Sequence, residues 1–264
     1  MPNLNEFTEV PRRELSVFYV LDTSGSMAGT PIAILNSAMI ETVEVLKQQA
    51  RVNADAKLKI AVLEFNSGCR WVQPNGPEQI EDFCWVDLEA GGTTEIGRAL
   101  RELNSKLSKK SFLKSATGAY LPIVIFMTDG CATDPKDQYD AALKEIWENK
   151  WFRHATKIGF AVGSEADHRM ISEIVGTSEA VVKTSDLSLF ARLIKFTSTT
   201  ASMLNSTSRT SSEKVSGKDV IARAIEEGEA PENVLDLDGY PEMFTEPTDL
   251  DLDLELDWEE WEEE

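Results

Sequence analysis

Histidine is nearly absent from this chain. It occurs twice in 264 residues, at His154 and His168, with no ligand spacing to other donors. Cysteine is scarce as well. Cys69, Cys84 and Cys131 form no Cys-x-x-Cys pair, which excludes the usual zinc and iron–sulfur frameworks. An odd count in a chain of this length points to reduced thiols, with a Cys69–Cys84 disulfide as the minor alternative. Both histidines read as surface residues, and Cys131 reads as a small buried side chain. There is no P-loop, no Gly-x-Ser-x-Gly and no Ser-His-Asp set, which removes common phosphoryl-transfer and hydrolase classes. Long apolar runs are missing. The longest, residues 120–127, is far short of the ~20 residues that span a bilayer. Residues 1–14 are polar and hold no apolar core for a signal peptide. The expectation is a cytoplasmic protein with no membrane contact.

Basic charge is also missing from one end. The chain has 46 acids against 26 bases, a net charge of −20. Residues 229–264 hold 16 of the acids and no Lys or Arg, leaving 30 acids against 26 bases in residues 1–228. The body is nearly balanced and the C-terminus is an acidic tail. Such a charge argues against direct nucleic-acid binding. Residues 249–258 alternate strictly between acids and Leu, ending on Trp258. An extended strand would put every apolar side chain on one face and every acid on the other. That pattern suits a docking segment for a partner with a basic or strand-edge surface; a merely solubilising tail is the plainer reading.

Hydrophobic runs and periodicity divide the rest. Residues 15–21, 58–65, 121–127 and 157–163 read as buried strands, with shorter ones at 69–72, 84–88 and 180–183. Helical spacing marks residues 31–51, 96–107, 136–153, 166–175 and 186–203, the third capped by Asp134-Pro135. Strands alternating with helices predict an α/β fold: a Rossmann-like, doubly wound, mainly parallel sheet with helices on both faces. The expected division is a lead-in at 1–14, a domain at 15–204, a Ser/Thr-rich linker with a short helix at 205–228, and the tail.

Three turns fall just beyond strand ends, where open α/β sheets place their ligands. Asp22-Thr23-Ser24-Gly25-Ser26 follows the first strand, Gly91-Gly92-Thr93-Thr94 opens a helix, and Thr128-Asp129-Gly130 ends a central strand. Asp22, Ser24 and Ser26 offer three hard oxygens from one turn. A threonine of the 93–94 turn and Asp129 make five of the six or so that Mg²⁺, Mn²⁺ or Ca²⁺ takes, and one position is left for an outside ligand.

The pattern Asp-x-Ser-x-Ser, then Gly-Gly-Thr before a helix, then an apolar strand ending Thr-Asp-Gly, resembles the von Willebrand factor A (VWA) domain family over about residues 15–203. The resemblance implies a metal-ion-dependent adhesion site (MIDAS) made of Asp22, Ser24, Ser26, Asp129 and a threonine. The glycine pair points to Thr93; the spacing to Gly97-x-Ala99-Leu100 points to Thr94, which is preferred. Residues 127–134 are similar to the bacterial TerY-like branch, with Ala132 where that branch usually has proline. The resemblance implies a magnesium-dependent adaptor without catalytic residues, whose ion is completed by a partner's Asp or Glu. Kinases, phosphatases and AAA ATPases are the partners it suggests. Other readings are an acidic-tail mimic of nucleic acid that inhibits a basic partner, and a phosphotransfer enzyme built on Asp22. A tail carboxylate could also fill the open metal position while neighbouring acids meet the basic stretch 98–114, giving autoinhibition.

Overall fold

The computed structural model describes residues 11–207 and 215–231. Four apolar runs become the parallel centre of one sheet. Strands β1 (Arg13–Asp22), β2 (Ala56–Phe65), β5 (Ile123–Thr128), β6 (Thr156–Val162) and β7 (Val181–Thr184) run parallel, and β3 (Cys69–Trp71) and β4 (Glu78–Gln79) pair antiparallel with β2. The strand order is β3-β2-β1-β5-β6-β7, with β4 also on β2. Strand β1 lies between β2 and β5, so its residues are buried from both faces. Val17, Tyr19 and Leu21 enter one apolar layer while Phe18 and Val20 enter the other.

The first layer is closed by α1 (Thr30–Val52) and α6 (Leu187–Thr207). The second is closed by α2 (Ile96–Lys106), α3 (Lys136–Glu148), α4 (Lys150–His154) and α5 (His168–Val175). This is the expected doubly wound architecture. Among the described residues, no helix is long and apolar enough to cross a membrane.

Several local expectations are corrected. Residues 84–88 form no strand. The Asn36 side chain on α1 captures Leu88 instead, accepting its N–H at 2.9 Å and donating to its carbonyl at 3.0 Å. The helix expected over 136–153 breaks at Asn149, whose side chain accepts the N–H groups of Trp151 and Phe152 and so starts α4 anew. Asp134 does not cap α3; its Oδ2 accepts the Gly97 N–H at 3.1 Å, in the first turn of α2. His154 and His168 are buried, not on the surface, whereas Cys131 is exposed and all three thiols are free.

The Ser/Thr-rich segment is partly helical. Helix α6 continues to Thr207, and α7 (Gly217–Glu226) buries Val220, Ile221 and Ala224 in the first layer. Helix α7 starts with a reciprocal capping box between Ser216 and Asp219. Gly217 lies so close to the start of β6 that a side-chain carbon there would overlap the Lys157 carbonyl. From that point α7 runs beside α6 within the first layer. Its C-terminal residues reach the start of α6, where Arg192 Nε donates to the Glu229 carbonyl at 3.1 Å. The expectations for the 232–264 tail lie outside the described residues.

Candidate metal centre

Two of the three singled-out turns sit at the carboxyl ends of adjacent strands, β1 and β5; the Gly91–Thr94 turn, expected past a strand at 84–88, follows no strand and packs against the end of β1. After β1 the backbone makes a short 3-10 turn at Gly25–Met27. This turn folds the two serines back over Asp22. The Ser24 N–H donates to Asp22 Oδ1 at 2.7 Å, and the Ser24 and Ser26 hydroxyls are 3.0 Å apart. Ser26 Oγ in turn donates to Asp129 Oδ1 at 2.8 Å, across from β1 to the end of β5. Asp22, Ser24, Ser26 and Asp129 thus form one continuous oxygen cluster.

The Gly91–Thr94 turn is locked onto it by backbone bonds. The Gly25 N–H donates to the Gly92 carbonyl at 2.9 Å, and the Gly91 N–H to the Thr23 carbonyl at 2.8 Å. Gly92 has φ of +83°, a conformation that disfavours any side chain, and a side-chain carbon there would collide with Ser67. The two threonines then part. Thr93 is exposed, and its N–H and hydroxyl bond Ser67 Oγ at 2.9 and 3.0 Å. Thr94 is buried; its Oγ1 lies 3.8 Å from where a side-chain carbon of Gly130 would stand. Two bonds to Thr133 pin its backbone, at 3.0 and 2.9 Å. The geometry therefore turns Thr94 towards the Asp129 loop and Thr93 away from it.

Supporting residues emerge that the sequence reading gave no role. Thr128 donates to Asp22 Oδ2 and accepts the Gly130 N–H, so it fixes the second oxygen of Asp22 and the bend after Asp129. Thr133, Ser67 and Asn66 hold the threonine turn. Thr128 and Thr133 stood in the 127–134 motif and carried a signal; Ser67 carried none, because its role arises only from tertiary contacts.

The electrostatics favour a cation. Asp22 is fully buried and Ser24 nearly so. Burial raises the pKa of Asp22 above the ordinary carboxylate value. Bonds from Thr128 and Ser24 hold it down, and repulsion from Asp129 pushes it further up. Burial likewise raises Asp129, against the Ser26 bond. Among the described residues no cation pairs with either acid, and an uncompensated buried charge is costly. No three His, Cys, Asp or Glu side chains cluster as ligands among those residues. The donor set here is two carboxylates and three hydroxyls, which fits a hard divalent ion held mainly by neutral oxygens.

No protein-family profile and no curated protein matches the sequence. Solved structures do match the fold, which is that of VWA domains. A von Willebrand factor type A protein from Catenulispora acidiphila aligns over 71% of this chain at 17% identity, TM-score 0.51. Proximal thread matrix protein 1 from the mussel byssus, with a zinc-occupied MIDAS motif, aligns over 70% at 18% identity, TM-score 0.51. The ArnB paralog VWA2 from Sulfolobus acidocaldarius aligns over 70% at 13% identity, TM-score 0.50. The matched parts span 42%, 47% and 45% of those proteins, less than half of each. At such identities the likeness is one of fold.

Proposed function

We propose that the protein is a metal-dependent protein-interaction module, an adaptor that recruits partners through one divalent ion. The observation that carries this is the hydrogen-bonded oxygen cluster of Asp22, Ser24, Ser26 and Asp129, with Thr94 beside it and no protein cation to neutralise its two acids. These five side chains would hold the ion, and Mg²⁺ or Mn²⁺ suits their all-oxygen chemistry better than zinc does. When bound, the ion supplies an electrophilic point that clamps an incoming carboxylate. The chain's own residues do the positioning. Thr128 and the Ser24 N–H aim Asp22, Ser26 spans to Asp129, and the Gly91–Thr94 turn sets the rim.

The five oxygens leave one position for an Asp or Glu of a partner protein. The reading is of a non-enzymatic, cytoplasmic protein of the TerY-like kind, with kinases, phosphatases or AAA ATPases as partner classes. The test is co-purification from native extract with wild type and with Ser24→Ala/Ser26→Ala, each with Mg²⁺ or with EDTA. Partners captured by wild type in Mg²⁺ should be lost in EDTA and lost in the double variant. The same partners in all four samples would overturn the reading.

A further inference from the structure

The loops around the metal centre carry charge of one sign. They are residues 23–29 after β1, 66–68 after β2, 89–95 before α2, 129–135 after β5, 163–167 after β6 and 185–186 after β7. Besides Asp129 they hold six acids, Glu89, Glu95, Asp134, Glu165, Asp167 and Asp186, and no Lys or Arg. Residues 1–228 as a whole are nearly balanced, with 30 acids against 26 bases, so the bases stand elsewhere on the body.

The bases closest in sequence to these loops lie in the first turns of three helices, and each meets a neighbouring acid. Arg98 pairs with Glu95 at 3.5 Å, Lys136 with Asp140 at 3.0 Å and Arg169 with Glu173 at 3.2 Å. Three of the loop acids accept local backbone bonds: Asp134 from Gly97, Asp167 from Met170 and Asp186 from Ser188. Glu89 and Glu165 differ. Both are exposed, and among the described residues no cation pairs with either. They flank the centre on two sides. Glu89 stands two residues before Gly91, whose N–H donates to the Thr23 carbonyl. Glu165 stands beside the Asp129 bend: its carbonyl accepts from Cys131 Sγ at 3.5 Å, and the Asp167 N–H reaches the Gly130 carbonyl at 3.4 Å.

A divalent ion in the centre is balanced in charge by Asp22 and Asp129 alone. The rim acids stay unbalanced, and an incoming carboxylate adds one more negative charge in their midst. Like charges brought together across an interface are costly, whereas opposite charges steer the encounter and fix its register. A partner presenting a run of acids is repelled at both flanks. A partner presenting one acid among bases is attracted there.

Resting on the metal-site reading above, we propose that this face fits a protein partner whose metal-bound Asp or Glu stands alone among Lys and Arg. The ion takes the carboxylate, and Glu89 and Glu165 select which carboxylate by the charge beside it.

Calorimetric titration of the full-length chain in Mg²⁺ with three peptides tests this. Each peptide carries one central Asp, flanked by Lys, by Ser or by Glu. The Lys-flanked peptide should bind most tightly and the Glu-flanked one most weakly. Titration in EDTA, and with Asn at the peptide's centre, reads the background that the acidic tail gives a basic peptide. Glu89→Gln/Glu165→Gln leaves the metal residues and the tail intact. It should lower the Mg²⁺-dependent affinity for the Lys-flanked peptide about three- to tenfold and raise that for the Glu-flanked one. Mg²⁺-dependent binding in which the Glu-flanked peptide is as tight as the Lys-flanked one overturns the inference and leaves the metal site standing. A Lys preference unchanged in the double variant overturns it too, since the attraction would then come from the tail. Peptides bound no better in Mg²⁺ than in EDTA overturn the metal-site reading and this inference together.

Discussion

At the scale of single residues, Asp22 decides the behaviour of the centre. Its carboxylate is buried beside Asp129, so its pKa in the folded chain is above the unfolded value, chiefly through burial. The sign follows. A carboxylate with a raised folded pKa costs stability above that pKa, and the cost is relieved as pH falls through it. The metal-free protein should therefore lose less stability on mild acidification than its acid content suggests. Metal binding runs the other way, weakening by about tenfold per pH unit for each proton the ion must displace. Asp22→Asn removes the charge and keeps the shape. Its amide can still accept the Ser24 N–H, and its –NH₂ can donate to Thr128. In EDTA this variant should melt higher than wild type, by about 2–4 °C per kcal/mol of relieved repulsion and desolvation. In Mg²⁺ the order should reverse, because only wild type gains the ion. Thermal scans of both proteins at pH 7, with and without Mg²⁺, check this; a variant that gains as much from Mg²⁺ as wild type would contradict it.

At the scale of elements, the close approach of α7 to the sheet is a structural commitment. Gly217→Ala must push α7 off the Lys157 carbonyl, at a cost of about 1–3 kcal/mol, typical of overpacking. A urea midpoint indistinguishable from wild type would show that α7 is not seated there. This helix also shows why part of the fold was legible and part was not. The runs that became β1, β2, β5 and β6 are buried from both sides, so continuous apolarity announced them. Residues 84–88 carried the same look with less length, and a single Asn36 side chain fixed them as a loop. The Asn149 break was hidden because helical periodicity continues across it. The segment from 205 read as a linker because Ser and Thr dominate it, yet α6 runs on to Thr207 and Ser216 caps α7 with Asp219. The oxygen cluster of Asp22, Ser24, Ser26 and Asp129 was legible as a candidate site because each residue lies in a local motif. The two threonines are told apart only by tertiary bonds, Ser67 taking Thr93 and Thr133 holding Thr94.

At the scale of the whole molecule, the chain separates two charge regimes. A nearly neutral α/β body carries an all-oxygen cluster at the carboxyl edge of its sheet, and the sequence after it is strongly acidic. The most direct measurement of the central claim is the binding of Mn²⁺ to the full-length chain, followed by electron paramagnetic resonance. Wild type, Ser24→Ala/Ser26→Ala, Thr94→Ala and Thr93→Ala would be compared. The expected result is one ion held tightly by wild type above the weak background of the acidic tail. That site should vanish in the serine double variant, weaken by tenfold or so in Thr94→Ala, and persist in Thr93→Ala. Identical isotherms for wild type and the double variant would contradict the claim that these strand ends form a metal centre.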